Sequence, residues 1–479
     1  MSTSPAGPAP AHQPATATTR PGAPRRERLA LAVLLTASFT LAVDFSILNV
    51  ALPQIGADVG FALPDLQWIA TSFAVCAAGL TLFFGRTADL FGRRRQFLAG
   101  IALLGVASLV GGLADVPWLL LAARVAQGVA TAAVTPAALS LITTSFAEGP
   151  LRDRALGLNG ALMAAGFTSG AVLGGLFAGL VSWRWAFFVN VAVALAVLVV
   201  GPLVLRETRE PRRAPLDAPG AVTVTLALAA GVYGLTQAAE HSWSAPGSWG
   251  ALSLAAALVA VFVAIERRVA HPLVPLGILA RRNVGWGNAA GLVAFATETS
   301  LVFLLTLYLQ EVRGFGPLHT GFVFAVLGAG TVLGGMVGPR VIGALGGRRA
   351  MVLGLVVQAA ATVPLAFLSA VPGWLAILLA LAFVGGVANL VAIVGFMVTA
   401  TAGLPDRDQG LATGLTTMSQ QVGIALGTPV MSAVVTAVAH DGGTPLGLSV
   451  AITVNAGLAL VAGLVLVAAL RLSGRPTDA

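Results

Sequence analysis

Fourteen apolar runs divide this sequence almost from end to end. Each is about 20 residues or longer, enough to cross a bilayer as a helix. They lie near 29–52, 66–85, 96–114, 117–145, 155–181, 186–205, 218–238, 248–266, 284–308, 318–339, 350–370, 373–402, 409–438 and 446–470. Backbone polar groups in lipid must be paired within their own segment, which leaves such a chain with helices. Composition agrees. Only 10% of the 479 residues are charged, and mean hydropathy is +0.90. A soluble domain carries about 25% charged residues. The expected fold is an all-α polytopic membrane protein.

The basic residues orient it. There are 27 arginines and no lysine. The odd-to-even loops hold two of them, Arg184 and Arg313, while the tails and even-to-odd loops hold twenty-four; Arg124 alone falls inside a helix. Positive charge in short loops marks the cytoplasmic side, so both termini are expected in the cytoplasm of a cell whose inner membrane holds the chain. Seven of eight tryptophans fall near the opposite helix ends, Trp286 being the exception, as in an interfacial aromatic belt. The arginines serve topology, so no nucleic-acid partner is expected; membrane lipids are. A single cysteine, Cys76, and five scattered histidines make no metal cluster, and no phosphate-binding loop is present. No metal and no cofactor are expected. No segment between helices is long enough for a catalytic domain, so an enzyme is not expected. Residues 1–28 and 471–479 read as solvated tails, and the first run reads as an uncleaved helix because it is long and holds Asp44 and Asn49.

Asp44 is the only charge within 29–52. It lies ~22 Å along its helix, and Glu298 lies ~21 Å along the ninth. An ionised carboxyl in low dielectric is costly, and the group takes up a proton unless water or a bound cation reaches it. An acid reached from alternate faces in turn can carry protons. The plainer alternatives are a structural hydrogen bond at Asp44 and a local polar patch of Glu298 with Thr297 and Thr299. Arg124, in the stretch RVAQG with Gln127, either snorkels to the nearby surface or pairs within the membrane. Phe45, Phe167, Phe295 and Met418 have the depth and chemistry to line an apolar cavity.

Several stretches are more specific. The turn GRTADLFGRRR, 85–95, carries Gly85, Asp89, Gly92, Arg93 and Arg94. The fifth helix reads GLNGALMAAGFTSGAVLGG, 157–175, with Gly157, Gly166, Gly170, Gly174 and Gly175. Four-residue spacing puts Gly166, Gly170 and Gly174 on one face, where another backbone can approach. The first helix contains DFSILNVALP, 44–53; SWRWAFFVN, 182–190, and LYLQEVRGFGPLHTG, 307–321, lie at the helix 5–6 and 9–10 links. The 85–95 turn resembles the loop signature of the major facilitator superfamily. The glycine helix resembles the antiporter motif of its exporters, with Ala171 where that motif has proline. The first helix and the two links resemble its fourteen-helix drug:proton antiporters.

That resemblance implies two pseudo-symmetric six-helix bundles, 29–205 and 284–470, with 206–283 supplying linkers and two extra central helices. It implies proton-coupled export of hydrophobic or cationic small molecules by alternating access, and the unit is expected to act as a monomer. Arg124 takes a proton-coupling role in such proteins. Asp89 would latch the cytoplasmic side against residues 406–410. In the second half Ala344 replaces the loop acid, so the latch is expected once. The thirteenth helix has no acid and offers Gln420 and Gln421, which favours neutral or monocationic cargo. Helices 1 and 9 would be symmetry mates, placing Asp44 and Glu298 on opposite walls of one cavity. The extra helices show only Tyr233 and Gln237 as notable polar positions, and the linker 206–217 reads as solvated. Export of one endogenous metabolite, antibiotic or lipid is the alternative, and a non-transport receptor is a further one.

Overall fold

The computed structural model describes residues 25–48, 50–61, 63–146, 150–207, 217–240, 243–270, 272–274, 276–367, 373–404 and 406–471. Asn49 lies outside them, as do the side chains of Asp89, Asp406 and Arg407. Among the described residues there are fourteen long helices and no strand. They are α1 (Arg25–Ile47), α2 (Gln67–Phe91), α3 (Arg93–Gly112), α4 (Pro117–Ser145), α5 (Pro150–Leu180), α6 (Trp185–Val204), α7 (Ala218–Glu240), α8 (Pro246–Glu266), α9 (Arg282–Leu307), α10 (Pro317–Leu345), α11 (Gly347–Thr362) and α12 (Trp374–Thr401). A last stretch, Asp406–Arg471, is broken at Gly443, where φ is 78°. Its two parts are α13 (Gly414–Ala439) and α14 (Gly443–Ala469). Twelve of the fourteen are long and apolar enough to cross a membrane; α2 and α5 carry shorter apolar stretches, Trp68–Thr81 and Ala165–Leu180.

Proline sets several boundaries. Helices α4, α8 and α10 begin on Pro117, Pro246 and Pro317, where the missing N–H costs nothing and φ is already helical. The first apolar run is not one helix: α1 ends at Ile47, and a short helix, Leu52–Val59, follows with Pro53 in its first turn. Likewise α11 stops at Thr362, before a tight turn at Val363–Ala366 that holds Pro364, because proline cannot continue the ladder.

Helix α1 packs on α5 and α6, α2 on α4, and α3 on α4 and α6. In the last six helices α9 packs on α12, α13 and α14, α10 on α12, and α11 on α12 and α14. The two sets meet where α5 touches α10 and α2 touches α13. Helices α7 and α8 pair with each other, and α7 leans on α2, where a Cβ on Gly79 would lie 2.8 Å from the Thr225 Cα.

The outward-facing apolar side chains of α3, α6 and α8, such as Val106, Val199 and Val259, are exposed, as lipid-facing residues are. Trp118, Trp185, Trp243 and Trp249 are exposed near helix ends. Trp183 departs from the expected belt: it is buried, and its Nε1 donates to Asp58 Oδ2 at 2.8 Å. Arg184, one of the two basic exceptions, is consumed locally. Its guanidinium donates to the carbonyls of Gly112 and Ala114 at 3.0 and 2.8 Å and to Asp115 at 2.8 Å. It satisfies the exposed carbonyls at the end of α3.

Candidate functional site

The acid in α1 is buried in the middle of the first six helices. Asp44 is 1% exposed, as is Arg124 of α4. Arg124 Nη1 lies 3.2 Å from Asp44 Oδ2 and donates also to Gln127 Oε1 at 2.9 Å, while its Nε donates to the Ile69 carbonyl at 2.9 Å. Gln127 Nε2 donates to Asp44 Oδ1 at 3.1 Å and to Ser108 Oγ of α3 at 2.9 Å. Asn190 Nδ2 of α6 donates to the same Asp44 oxygen. Three helices, α1, α4 and α6, thus meet at one carboxyl, with α3 and α2 joined to it through Ser108 and Ile69. The snorkelling alternative for Arg124 does not describe this; the structural hydrogen bonds weighed for Asp44 are present, from Gln127 and Asn190 on neighbouring helices. A buried ion pair holds only if further hydrogen bonds fill the remaining lone pairs and donors, and here they do. Asn190 and Ser108 went unread in the sequence, each being a lone polar residue among apolar neighbours.

The pair is wired to the interface between the two sets of helices. The Arg124 guanidinium sits 4.3 Å from the Phe73 ring centroid, Phe73 meets Phe45 at 5.8 Å, and Phe45 stacks on Phe167 at 5.8 Å. A cation on an aromatic face is attracted by the ring quadrupole. Phe45 also lines a cavity of about 10 Å³ with Thr71, Thr299, Ile424 and Thr428, so residues from α1, α2, α9 and α13 share it. Phe45 therefore lies at the interface, with Phe167 stacked on it. Phe295 does not. It sits in a cluster with Met351, Leu355 and Phe396 inside the last six helices, since its place on α9 turns it toward α11 and α12. Met418 packs nearer the end of α2, beside Phe83, Leu404 and Leu415. Gln420 and Gln421 are half-buried on α13.

Glycines set the approach of α5 to α1. Cβ atoms on Gly166 and Gly170 would lie 2.7 and 2.6 Å from the carbonyls of Phe39 and Val43, and one on Gly174 would overlap the carbonyl of Ile47. Ser46 Oγ donates to the Phe167 carbonyl across this seam. Gly175 instead faces α10, where its Cβ would lie 2.6 Å from the Pro317 carbonyl and 3.0 Å from the Gly321 Cα. Gly157 lies on the same helix. An unexpected copy exists in the second set: Gly423 and Gly427 of α13 meet the carbonyls of Leu292 and Ala296 on α9, and Gly427 also meets Thr299.

The copy corrects the expected symmetry of the two acids. Gly170 meets Val43 and Ser46 as Gly427 meets Ala296 and Thr299. Asp44 therefore corresponds to Thr297, and Glu298 to Phe45. One residue is about 100° around a helix, and counting along the run could not fix it. At the Asp44-equivalent place stands a neutral core. Gln358 donates to Thr297 Oγ1 at 3.0 Å, Asn389 to Gln358 at 3.2 Å, and Asn455 to the Thr297 carbonyl and Ser300 at 3.0 and 2.8 Å. Glu298 lines a separate cavity of about 20 Å³ with Leu327, Thr331, Gln358, Thr362 and Asn389, enough for about one water. The two acids do not face each other across one cavity.

At the α2–α3 turn Gly92 has φ 109°, which a side chain resists. Its place is taken up by Glu207, which follows α6. The carboxylate accepts the backbone N–H groups of Arg94 and Arg95 at 3.2 Å each. Arg94 Nη2 reaches the Pro202 carbonyl at 2.8 Å. A carboxylate at a helix start is favoured by the unpaired N–H groups and the dipole. The linker read as solvated is thus pinned to the turn at its first residues. Gly85 approaches Pro136 of α4, and Arg93 is also engaged. The expected Asp89 latch lies outside the described side chains. Glu207→Ala should lower the unfolding free energy by about 1 kcal/mol, with Glu207→Gln losing roughly half of that because it keeps an acceptor. Thermal unfolding of the purified protein checks both.

Near both ends the two sets touch. Gln310 Nε2 donates to the Val50 carbonyl at 3.0 Å, close to the α5–α10 glycine contact. At the opposite end Phe83 of α2 packs with Leu404, Leu415 and Met418.

Comparison with known proteins gives this arrangement its family. The cephamycin export protein CmcT of Amycolatopsis lactamdurans is 40% identical over 417 residues, covering 84% of each chain. The puromycin resistance protein of Streptomyces alboniger is 36% identical over 85% of this chain and 81% of its own. Among solved structures, the POT family transporter PepTSo matches with a TM-score of 0.68 at 15% identity, over 94% of this chain and 99% of that one. The human organic anion transporter MFSD10 matches with a TM-score of 0.61 at 16% identity, over 93% of this chain and all of its own. The Major Facilitator Superfamily model matches residues 34–428, and the chain belongs to that superfamily.

Proposed function

We propose that this protein is a proton-coupled antiporter that exports hydrophobic small molecules, antibiotics among them, across the cytoplasmic membrane. It is a transporter and not an enzyme. Fourteen spans form two six-helix bundles, 29–205 and 284–470, with both termini cytoplasmic and α7–α8 between them, and one chain is the working unit. The observation that carries this reading is the Asp44–Arg124 pair, 3.2 Å apart and sealed from solvent where α1, α4 and α6 meet. A charged pair in a membrane core is retained where it can change its state. Protonating Asp44 removes the charge that holds Arg124. The guanidinium is then free to shift against Phe73, and the shift passes to Phe45 and Phe167 at the interface. Rocking of the bundles about that interface exposes Asp44 to one face and then the other. The residues of the α2–α3 turn, Asp89 included, gate the cytoplasmic side against 406–410. Glu298, beside its water-sized cavity, contributes to cargo recognition or to a second proton step.

Purified protein in sealed liposomes tests the reading. With an imposed pH gradient it should expel a fluorescent lipophilic dye or an antibiotic, and a protonophore should stop it. Absence of gradient-driven expulsion across a panel of such compounds would falsify the proposal. Glu298→Gln should slow monocationic cargo severalfold more than neutral cargo, and equal rates would remove Glu298 from recognition.

Export of a single compound is the second reading, because matched relatives are described by individual antibiotics, cephamycin and puromycin. A susceptibility panel in an efflux-deficient host separates the two. Protection against one compound class supports dedicated export, and protection against many supports multidrug export.

A further inference from the structure

The α7–α8 pair carries chemistry at its ends. Asp217 stands immediately before α7 and Glu266 closes α8, and they are 3% and 4% exposed. One oxygen of each is occupied. Asp217 Oδ1 accepts the Gly220 N–H at 2.9 Å, capping α7, and Glu266 Oε2 accepts the Val274 N–H at 3.0 Å. The other two oxygens, Asp217 Oδ2 and Glu266 Oε1, are buried without a hydrogen-bond partner among the described residues. Both address one spot: a Cβ on Gly220 would lie 2.5 Å from the first and 3.0 Å from the second. The next residues along the chain, Arg267 and Arg268, are exposed.

Two buried carboxylate oxygens that address one spot without a donor among the described residues are costly. A single proton converts the clash into a short, charge-assisted hydrogen bond. We propose that Asp217 and Glu266 hold one proton between them, fastening the start of α7, the end of α8 and residues 272–274 into one clamp. Leu273 and Val274 belong to the apolar cluster of Ala221, Phe262, Leu404 and Leu415, against which Phe83 and Met418 rest. The clamp therefore holds together the plug that joins α2 to α13 at the end of the molecule carrying the α2–α3 turn. Loss of the proton places two like charges beside that plug and loosens it. This site is separate from Asp44 and does not depend on what the protein exports.

The test uses full-length protein in lipid nanodiscs, titrated beside Glu266→Gln. The amide keeps a hydrogen bond to Asp217 and removes the shared proton. From about pH 6 to about pH 9 ordinary carboxyls are already ionised. Over that range wild type should release one proton more than the variant; Asp44 and Glu298 are common to both and cancel. The sign for stability follows from linkage. On the proposal the shared proton is bound in the folded state and not in the unfolded one, so the stabilisation is present at low pH and lost as rising pH removes that proton. The wild-type melting temperature should fall over this range more steeply than the variant's. Asp217→Asn retains the cap through its amide oxygen, should behave in the same way, and serves if Glu266→Gln does not fold. Equal proton release by wild type and variant overturns the proposal. So does a gain in wild-type stability near pH 9 when sodium or magnesium replaces choline, which puts a metal ion in the gap instead.

Discussion

Asp44→Asn should abolish cargo-driven proton release in liposomes, a loss well beyond tenfold, while the same protein still binds cargo. The substitution keeps the shape of the side chain and its contacts with Gln127 and Asn190 but removes the only group in that core able to exchange a proton. It also strips Arg124 of its counter-charge. A buried charge left unpaired costs about 3–5 kcal/mol, so the single variant will be less stable, and low activity alone would be ambiguous. The double variant Asp44→Asn, Arg124→Gln resolves this. It removes both charges from a site where each is 1% exposed and should recover most of the lost thermal stability. Proton release should remain absent. If the double variant regains coupled transport, Asp44 is an architectural residue and the proton passes elsewhere.

The second large effect is expected at Gly174. Even a methyl group there would overlap the Ile47 carbonyl, and backbone cannot yield as the tip of a flexible side chain can. Helix α5 would have to move off α1, disturbing the Ser46–Phe167 link about two turns away along α5. Overpacking of this kind costs about 1–3 kcal/mol for small additions and more when backbone must shift. Gly174→Ala should thus lower the melting temperature measurably, and Gly174→Val should yield little folded protein. Gly250→Ala on α8 is the control. Nothing lies within 4 Å of a Cβ there, and the change should be neutral or stabilise by about 0.4–1 kcal/mol. Fluorescence-detected gel filtration of the three variants measures the contrast. Equal yields would mean that the seam is looser than the structure has it.

The all-helical class and the order of the helices were legible because a lipid-spanning run is a strong signal that needs no partner to be read; twelve of the fourteen runs meet the length and hydropathy of a span. Boundaries failed where local chemistry interrupts an apolar run, as Pro53 and Pro364 do. Asp44, Arg124 and Gln127 stood out as polar groups in apolar surroundings. Asn190 and Ser108 were equally polar, yet nothing in the order of residues says that α3 and α6 turn those two positions toward α1. Glu207, Asp217 and Glu266 were hidden differently: each lies at a helix end, where a charged residue is ordinary, and only folding shows which ends are covered. The one-residue error at Glu298 has the same root. Depth along a helix can be counted from sequence, but azimuth needs a contact, and Gly423 and Gly427 supplied it.

The matched glycine seams also say where this machine can flex. Within each set a backbone rests directly on a backbone, α1 on α5 and α9 on α13, so neither block has soft material to deform. Compliance is left to the bearing surfaces between blocks: the α5–α10 contact of Gly175 and Gly179 with Pro317, Leu318 and Gly321 on one flank, and the side-chain packing of Phe73 and Ala77 with Ala425 on the other. Added bulk on those two flanks should alter how fast the blocks slide past each other, while the blocks themselves stay intact.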